Sequence, residues 1–97
     1  MSNYVLSFRG RPDRTVGPDE EAAWGAWFAG LGSAIADSGH RVGRVQALGN
    51  SSGTSGTVLA GYIVVAASDL DTAVRLAEGC PGLKSGATVE VGEVVEM

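Results

Sequence analysis

Residues 56–67 read Gly-Thr-Val-Leu-Ala-Gly-Tyr-Ile-Val-Val-Ala-Ala, residues 68–81 continue Ser-Asp-Leu-Asp-Thr-Ala-Val-Arg-Leu-Ala-Glu-Gly-Cys-Pro, and residues 88–97 close the chain with Thr-Val-Glu-Val-Gly-Glu-Val-Val-Glu-Met. The first run is a strand over 57–67 with apolar residues on both faces: Leu59, Ile63 and Val65 on one, Val58, Tyr62 and Val64 on the other. A strand apolar on both sides is covered on both sides. Ser68 is placed as a helix N-cap, with Asp71 three residues on in the capping-box position. The helix that follows carries Leu70, Ala73, Val74 and Ala77 on one face, and Gly79-Cys80-Pro81-Gly82 stops it. Residues 88–95 form a last strand, with Val89, Val91 and Val95 against Glu90, Val94 and Glu96.

Working outward, residues 3–9 alternate Tyr4, Leu6 and Phe8 against Val5 and Ser7, the signature of a strand. Residues 10–17, rich in Arg, Pro and Gly, read as a loop. Pro18 then suits a first helical position, and Asp19, Glu20 and Glu21 sit against the positive end of the helix dipole. Trp24, Trp27, Phe28, Leu31 and Ile35 recur at helical spacing and extend this helix to about Ser38, with Gly39 as its left-handed stop. Residues 41–48 alternate as a second strand, polar on much of one face, and residues 49–56 form a turn without apolar residues.

The order β-α-β-β-α-β is the ferredoxin-like pattern of the α+β class: one domain over residues 1–97, a four-stranded antiparallel sheet with two helices on one face. The helices cover one side of the sheet, so the apolar second face of residues 57–67 leads us to expect a homodimer through the open face.

The 97 residues suit one domain with a thin core, about 60–68% of the unfolded surface being buried at this size. Net charge is −4 with no basic stripe, which argues against a nucleic-acid partner. A single cysteine, Cys80, rules out an internal disulfide and suits a reducing compartment. The sequence begins without a signal-peptide pattern, and its longest apolar run, residues 62–67, is too short to span a bilayer. A cytoplasmic location without membrane contact is the resulting expectation.

The segment from Gly61 through Pro81, the closing Thr-Val-Glu-Val-Gly-Glu-Val, the opening Tyr-Val-Leu-Ser-Phe-Arg-Gly and the helical Trp-Gly-Ala-Trp-Phe together resemble the YCII-related family. They look most like its branch named for a DGPF motif. The resemblance covers nearly the whole chain and implies a dimeric α+β barrel. The Asp-Gly-Pro-Phe hairpin of that branch is missing here, with residues 49–56 in its place. The family also tends to carry a histidine early in the first helix, proposed to work with an aspartate. Ala22, Ala23 and Trp24 occupy that place here, so the resemblance carries over no catalytic pair.

Other residues are weighed on their own chemistry. His40 stands three residues after Asp37, the spacing of a general base oriented by a carboxylate or of a polar cap at a helix end. Arg9, Arg11 and Arg14 suit an anion clamp or a solvated loop, with Arg9 best placed at a strand end. Trp24, Trp27 and Phe28 suit the wall of a pocket or a core stripe, and Tyr4 and Tyr62 bring hydroxyls to the same cleft or simply pack. Residues 49–56 lack the lysine of a phosphate loop, and no spacing of His, Cys, Asp or Glu matches a metal site. No cofactor is expected. The leading expectation is a homodimeric small-ligand-binding or assembly module, with Arg9, Tyr4, Tyr62 and Trp24 as its ligand contacts. The alternative is a small dimeric α/β-barrel enzyme for an anionic or aromatic compound, with Arg9 as anchor and His40 with Asp37 moving a proton. A weaker third idea is an accessory subunit that meets a larger partner through the second strand.

Overall fold

The computed structural model of the protein describes residues 1–13, 15–49 and 56–96. Arg14 of the arginine loop and residues 50–55 of the expected 49–56 turn lie outside the described residues.

The element order is β1 (Ser2–Gly10), α1 (Pro18–Leu31), a 3-10 turn (Gly32–Ala34), β2 (Ile35–Arg41), β3 (Val58–Ala67), α2 (Leu70–Ala77), a second 3-10 turn (Pro81–Ser85) and β4 (Thr88–Glu93). The strands make one antiparallel sheet in the order β2-β3-β1-β4. This is the ferredoxin-like α+β architecture that the element order implied.

The alternation in β1 sets the core. Tyr4, Leu6 and Phe8 are buried, and their β3 partners Val65, Ile63 and Gly61 lie on the same face. On β4, Val91 and Val89 stand opposite Leu6 and Phe8 and pack against that core. Leu6, Ile63 and Val65 are the largest side chains fully removed from water. A register shift opposite Phe8 and Arg9 pairs Leu59 with Arg9, so Leu59 is half-buried rather than sharing the core with Ile63.

The two helices cover this face differently. In α2 the buried residues are Ala73 and Ala77, small enough for the helix to pack directly on β1, β3 and β4. Leu70 and Val74, expected on its inner face, are exposed. Its N-cap is Asp69 rather than Ser68: Asp69 Oδ1 accepts the Thr72 N–H at 2.8 Å, while Ser68 Oγ lies 3.2 Å from Thr72 Oγ1. Cys80 is buried, and its sulfur is not in a disulfide.

Helix α1 ends at Leu31 and does not reach Ser38. Gly32, at φ 51°, turns the chain out of the helix, and its N–H donates to the Phe28 carbonyl. The helical spacing from Leu31 to Ile35 is coincidental, because Ile35 belongs to β2 and stands opposite Val65. The second strand therefore lies over residues 35–41 instead of 41–48, and the Val42 N–H, donating to the Ala60 carbonyl at 2.9 Å, continues the pairing by one residue. Asp37, Ser38 and Gly39 are poor strand formers. They are accommodated at the sheet edge by two register shifts. Gly39 does adopt a left-handed conformation, φ 62°, but in a strand bulge and not at a helix end. The strand expected over 88–95 stops at Glu93, with Val94 N–H still donating to the Asn3 carbonyl at 2.9 Å.

Two expected outcomes follow from these local structures. A Cβ on Gly39 would overlap the Tyr62 carbonyl oxygen. The left-handed backbone alone costs a side-chain-bearing residue about 1–2 kcal/mol, so Gly39→Ala loses more than that in chemical denaturation. Wild-type behaviour of this variant would refute the bulge. The Asp69 carboxylate is held below its ordinary value of 3.8, first by hydrogen bonding from the Thr72 side chain and then from its backbone N–H. A depressed carboxylate stabilises the fold above its unfolded pKa and loses that contribution as pH falls through the folded one. The melting-temperature gap between wild type and Asp69→Asn is therefore expected to be present at neutral pH and to close below about pH 4.

Candidate functional site

The site is built by the aromatic residues of α1. Trp24, Trp27 and Phe28 reach down towards Phe8 on β1, with Phe8–Trp24 ring centroids 5.1 Å apart at 88° and Phe8–Trp27 centroids 5.9 Å apart at 77°. These are edge-to-face contacts, the favoured geometry for aromatic quadrupoles. The Trp24 indole N–H donates to Glu20 Oε2 at 2.9 Å, one turn earlier on the same helix. The Trp27 indole N–H donates to the Leu76 carbonyl at 3.1 Å and ties α1 to the end of α2. Gly82 gives Trp24 its room: a Cβ there would meet the indole ring at 3.0 Å.

Large rings under α1 and alanines under α2 leave the two helices at different heights over the sheet. On the α1 side this produces a cavity of about 520 Å³. Phe8, Gly61 and Ile63 belong to its floor, and Trp24, Gly25 and Phe28 of α1 cover it. Its mouth lies at the β2 edge and the end of β1, bordered by Arg9, Gly10, Val16, Glu21, the Ser38–Arg41 end of β2 and Ala60. Gly25 is notable because a Cβ built on it meets nothing within 4 Å. The helix has space at that point rather than a packing partner.

Of the residues singled out in the sequence, Trp24, Arg9, Tyr62 and His40 all border this cavity. Tyr4 is in the core, 3% exposed, and does not border it. Adjacent strand residues point to opposite faces. With Ile63 buried beneath the helices, the Tyr62 ring belongs to the open face of the sheet. His40 stands directly opposite Tyr62, and its Nδ1 lies 3.3 Å from the Tyr62 hydroxyl. The Asp37 carboxylate accepts the Gly39 N–H at 2.8 Å and so fastens the β2 bulge. Arg9 extends towards the Thr57 carbonyl at 3.5 Å. Arg11 pairs with Asp13 at 3.4 Å with both side chains largely in solvent, where such a pair contributes little. Arg9 and Arg11, the two described arginines of this loop, therefore take separate partners.

Two site residues were not visible beforehand. Gly25 has no side chain to mark it, and its position between Trp24 and Phe28 on α1 is its one signal in the sequence. Arg41 was hidden because the second strand was expected to start there, whereas it ends there. Among the described residues no group of three or more His, Cys, Asp or Glu is placed to hold a metal ion. No helix among them is long and apolar enough to cross a membrane.

A search of curated proteins found no match to the chain. A family model described as the YCII-related domain matches residues 10–97, which takes in every element after β1. With that match spanning most of the sequence, the chain belongs to the YCII-related domain family.

Proposed function

We propose that this YCII-related domain binds a small, mostly apolar compound in the cavity between α1 and the sheet. The observation that carries this reading is the cavity itself. Its volume of about 520 Å³ lies within the range of small-molecule sites, roughly 300–1,000 Å³. Apolar and aromatic residues from both layers face it, and a few polar groups stand at its mouth. The reading assigns no proton transfer to His40 and Asp37. Their side-chain hydrogen bonds, to Tyr62 and to Gly39, serve the β2–β3 edge.

Gly25 supplies the test. Because its Cβ position is open, Gly25→Leu fills the cavity from the helix without displacing a neighbour at the backbone. Naphthalene-2-methanol, a neutral aromatic probe, is expected to bind saturably to wild type, as followed by Trp fluorescence. The Gly25→Leu variant is expected to lose at least tenfold in affinity with no fall in its melting temperature. Gly25→Ala serves as the folding control and is expected to be about 1 kcal/mol more stable, the usual gain on replacing a helical glycine. Absence of saturable binding, or binding indifferent to Gly25→Leu, would sink the proposal.

The same reading includes a second copy of the chain across the open sheet face. Val5, Val64 and Ala66 lie there half-buried on the two central strands, with Ser7, Tyr62 and Gly92 between and beside them and no charged side chain at the centre. Isologous packing of such a face removes it from water on both protomers at once. Sedimentation equilibrium is expected to give a dimer for wild type and a monomer for Val64→Lys. A wild-type monomer at about 100 μM, well above the μM-to-pM range of standard-sized interfaces, would count against it.

A further inference from the structure

We propose that the ligand is a planar aromatic carboxylate, and that Arg41 holds its carboxylate at the cavity mouth. This rests on the small-molecule reading above and adds the chemical class of the ligand and the residue that selects it.

The argument starts from strand register. Arg41 stands directly opposite Gly61 on β3, and Gly61 stands opposite Phe8 on β1. Residues directly opposed in an antiparallel pair share a face. Phe8 and Gly61 are buried on the face covered by α1, so Arg41 leaves β2 on the cavity side, next to a residue with no side chain. Its neighbour His40, paired with Tyr62, belongs to the opposite face. Arg9 follows Phe8 and pairs with Thr88, which places its side chain on the opposite face too.

Arg41 is exposed and makes no ion pair among the described residues. It borders the cavity, and among the described residues Glu21 is the one acid that does so, in a chain with 11 Asp and Glu. Arg41 thus brings a positive charge to a mouth that Glu21 also borders, on a protein whose net charge is −4. An arginine fork matches a carboxylate through two parallel hydrogen bonds.

The walls choose a flat, aromatic body. Phe8, Trp24 and Phe28 present rings to the cavity from two layers. Trp24 is held by Phe8 edge-on and by Glu20 through its indole N–H, so this wall is formed before any ligand arrives. A preformed wall spares the ordering cost of binding.

Three probes of one shape decide the matter: 2-naphthoate, naphthalene-2-methanol and 2-naphthylmethylamine, titrated into wild type, Arg41→Gln, Arg41→Lys, Arg9→Gln and Gly25→Leu. We expect 2-naphthoate to bind wild type at least tenfold more tightly than the alcohol, and the amine to bind no better than the alcohol. Arg41→Gln is expected to erase the preference for the carboxylate while leaving the affinity for the alcohol unchanged. Arg41→Lys retains part of the preference, Arg9→Gln retains all of it, and Gly25→Leu weakens every probe. If the alcohol binds as well as the carboxylate and Gly25→Leu still weakens both, the cavity binds ligands but the carboxylate assignment is wrong. A preference for the amine would assign the mouth to Glu21 instead. A preference erased by Arg9→Gln and not by Arg41→Gln would overturn the role of Arg41. If no probe binds at all, the small-molecule reading falls with it.

Discussion

The contact between Phe8 of β1 and the indoles of α1 is the constraint on which the rest of this molecule depends. Two tryptophans and a phenylalanine act as struts that hold α1 away from the sheet, while Ala73 and Ala77 let α2 settle onto it. A layer of two helices at unequal heights cannot fill the space above one sheet evenly. The difference in side-chain size becomes a cavity on the α1 side. The struts are themselves braced. Trp27 is hydrogen-bonded to the Leu76 carbonyl, Trp24 to Glu20, and the second 3-10 turn offers Gly82 where any larger residue would press on the Trp24 ring. The cavity is therefore bounded by side chains that are packed and hydrogen-bonded in place.

The edge strand β2 solves a second problem. Its sequence, Ile-Ala-Asp-Ser-Gly-His-Arg, is poorly suited to a sheet, yet it pairs with β3 along its length. Two register shifts absorb the mismatch. Asp37 satisfies the Gly39 N–H, and Gly39 takes a backbone conformation that side-chain-bearing residues resist. The bulges also set which face each later residue occupies. They send His40 to the open face beside Tyr62 and Arg41 to the cavity face beside Gly61. A one-residue slip would exchange the two and with them the chemistry of the mouth.

Much of this architecture was legible in the chain. The alternation of Tyr4, Leu6 and Phe8, the two-faced apolar run of β3 and the Gly-Cys-Pro-Gly stop after α2 place two strands and a helix correctly. The aromatic side of α1 was equally clear, and Trp24 does border the cavity. The errors cluster between Leu31 and Leu48. There a helical spacing ran on through Ile35 by chance, and the alternation of residues 41–48 imitated a strand that the chain does not form. The N-cap of α2 slipped by one residue for a similar reason: Ser68 and Asp69 are both good caps, and only the path of the backbone leaving β3 decides which side chain meets the Thr72 N–H.

By itself, the sequence determined the order of strands and helices, the alternation of β1 that forms its core face, and the family. Each of these is written in local periodicity or in motif residues that read the same in any context. The tertiary structure alone decided that residues 35–41 are a strand, because an edge strand of weak propensity exists through hydrogen bonds to a partner some twenty or more residues away in sequence. It alone decided the cavity and the standing of Arg41 and Gly25 beside it. A cavity is the volume left between side chains of distant elements, and the face an edge residue takes depends on the bulges before it, so neither is a property of any single stretch of chain.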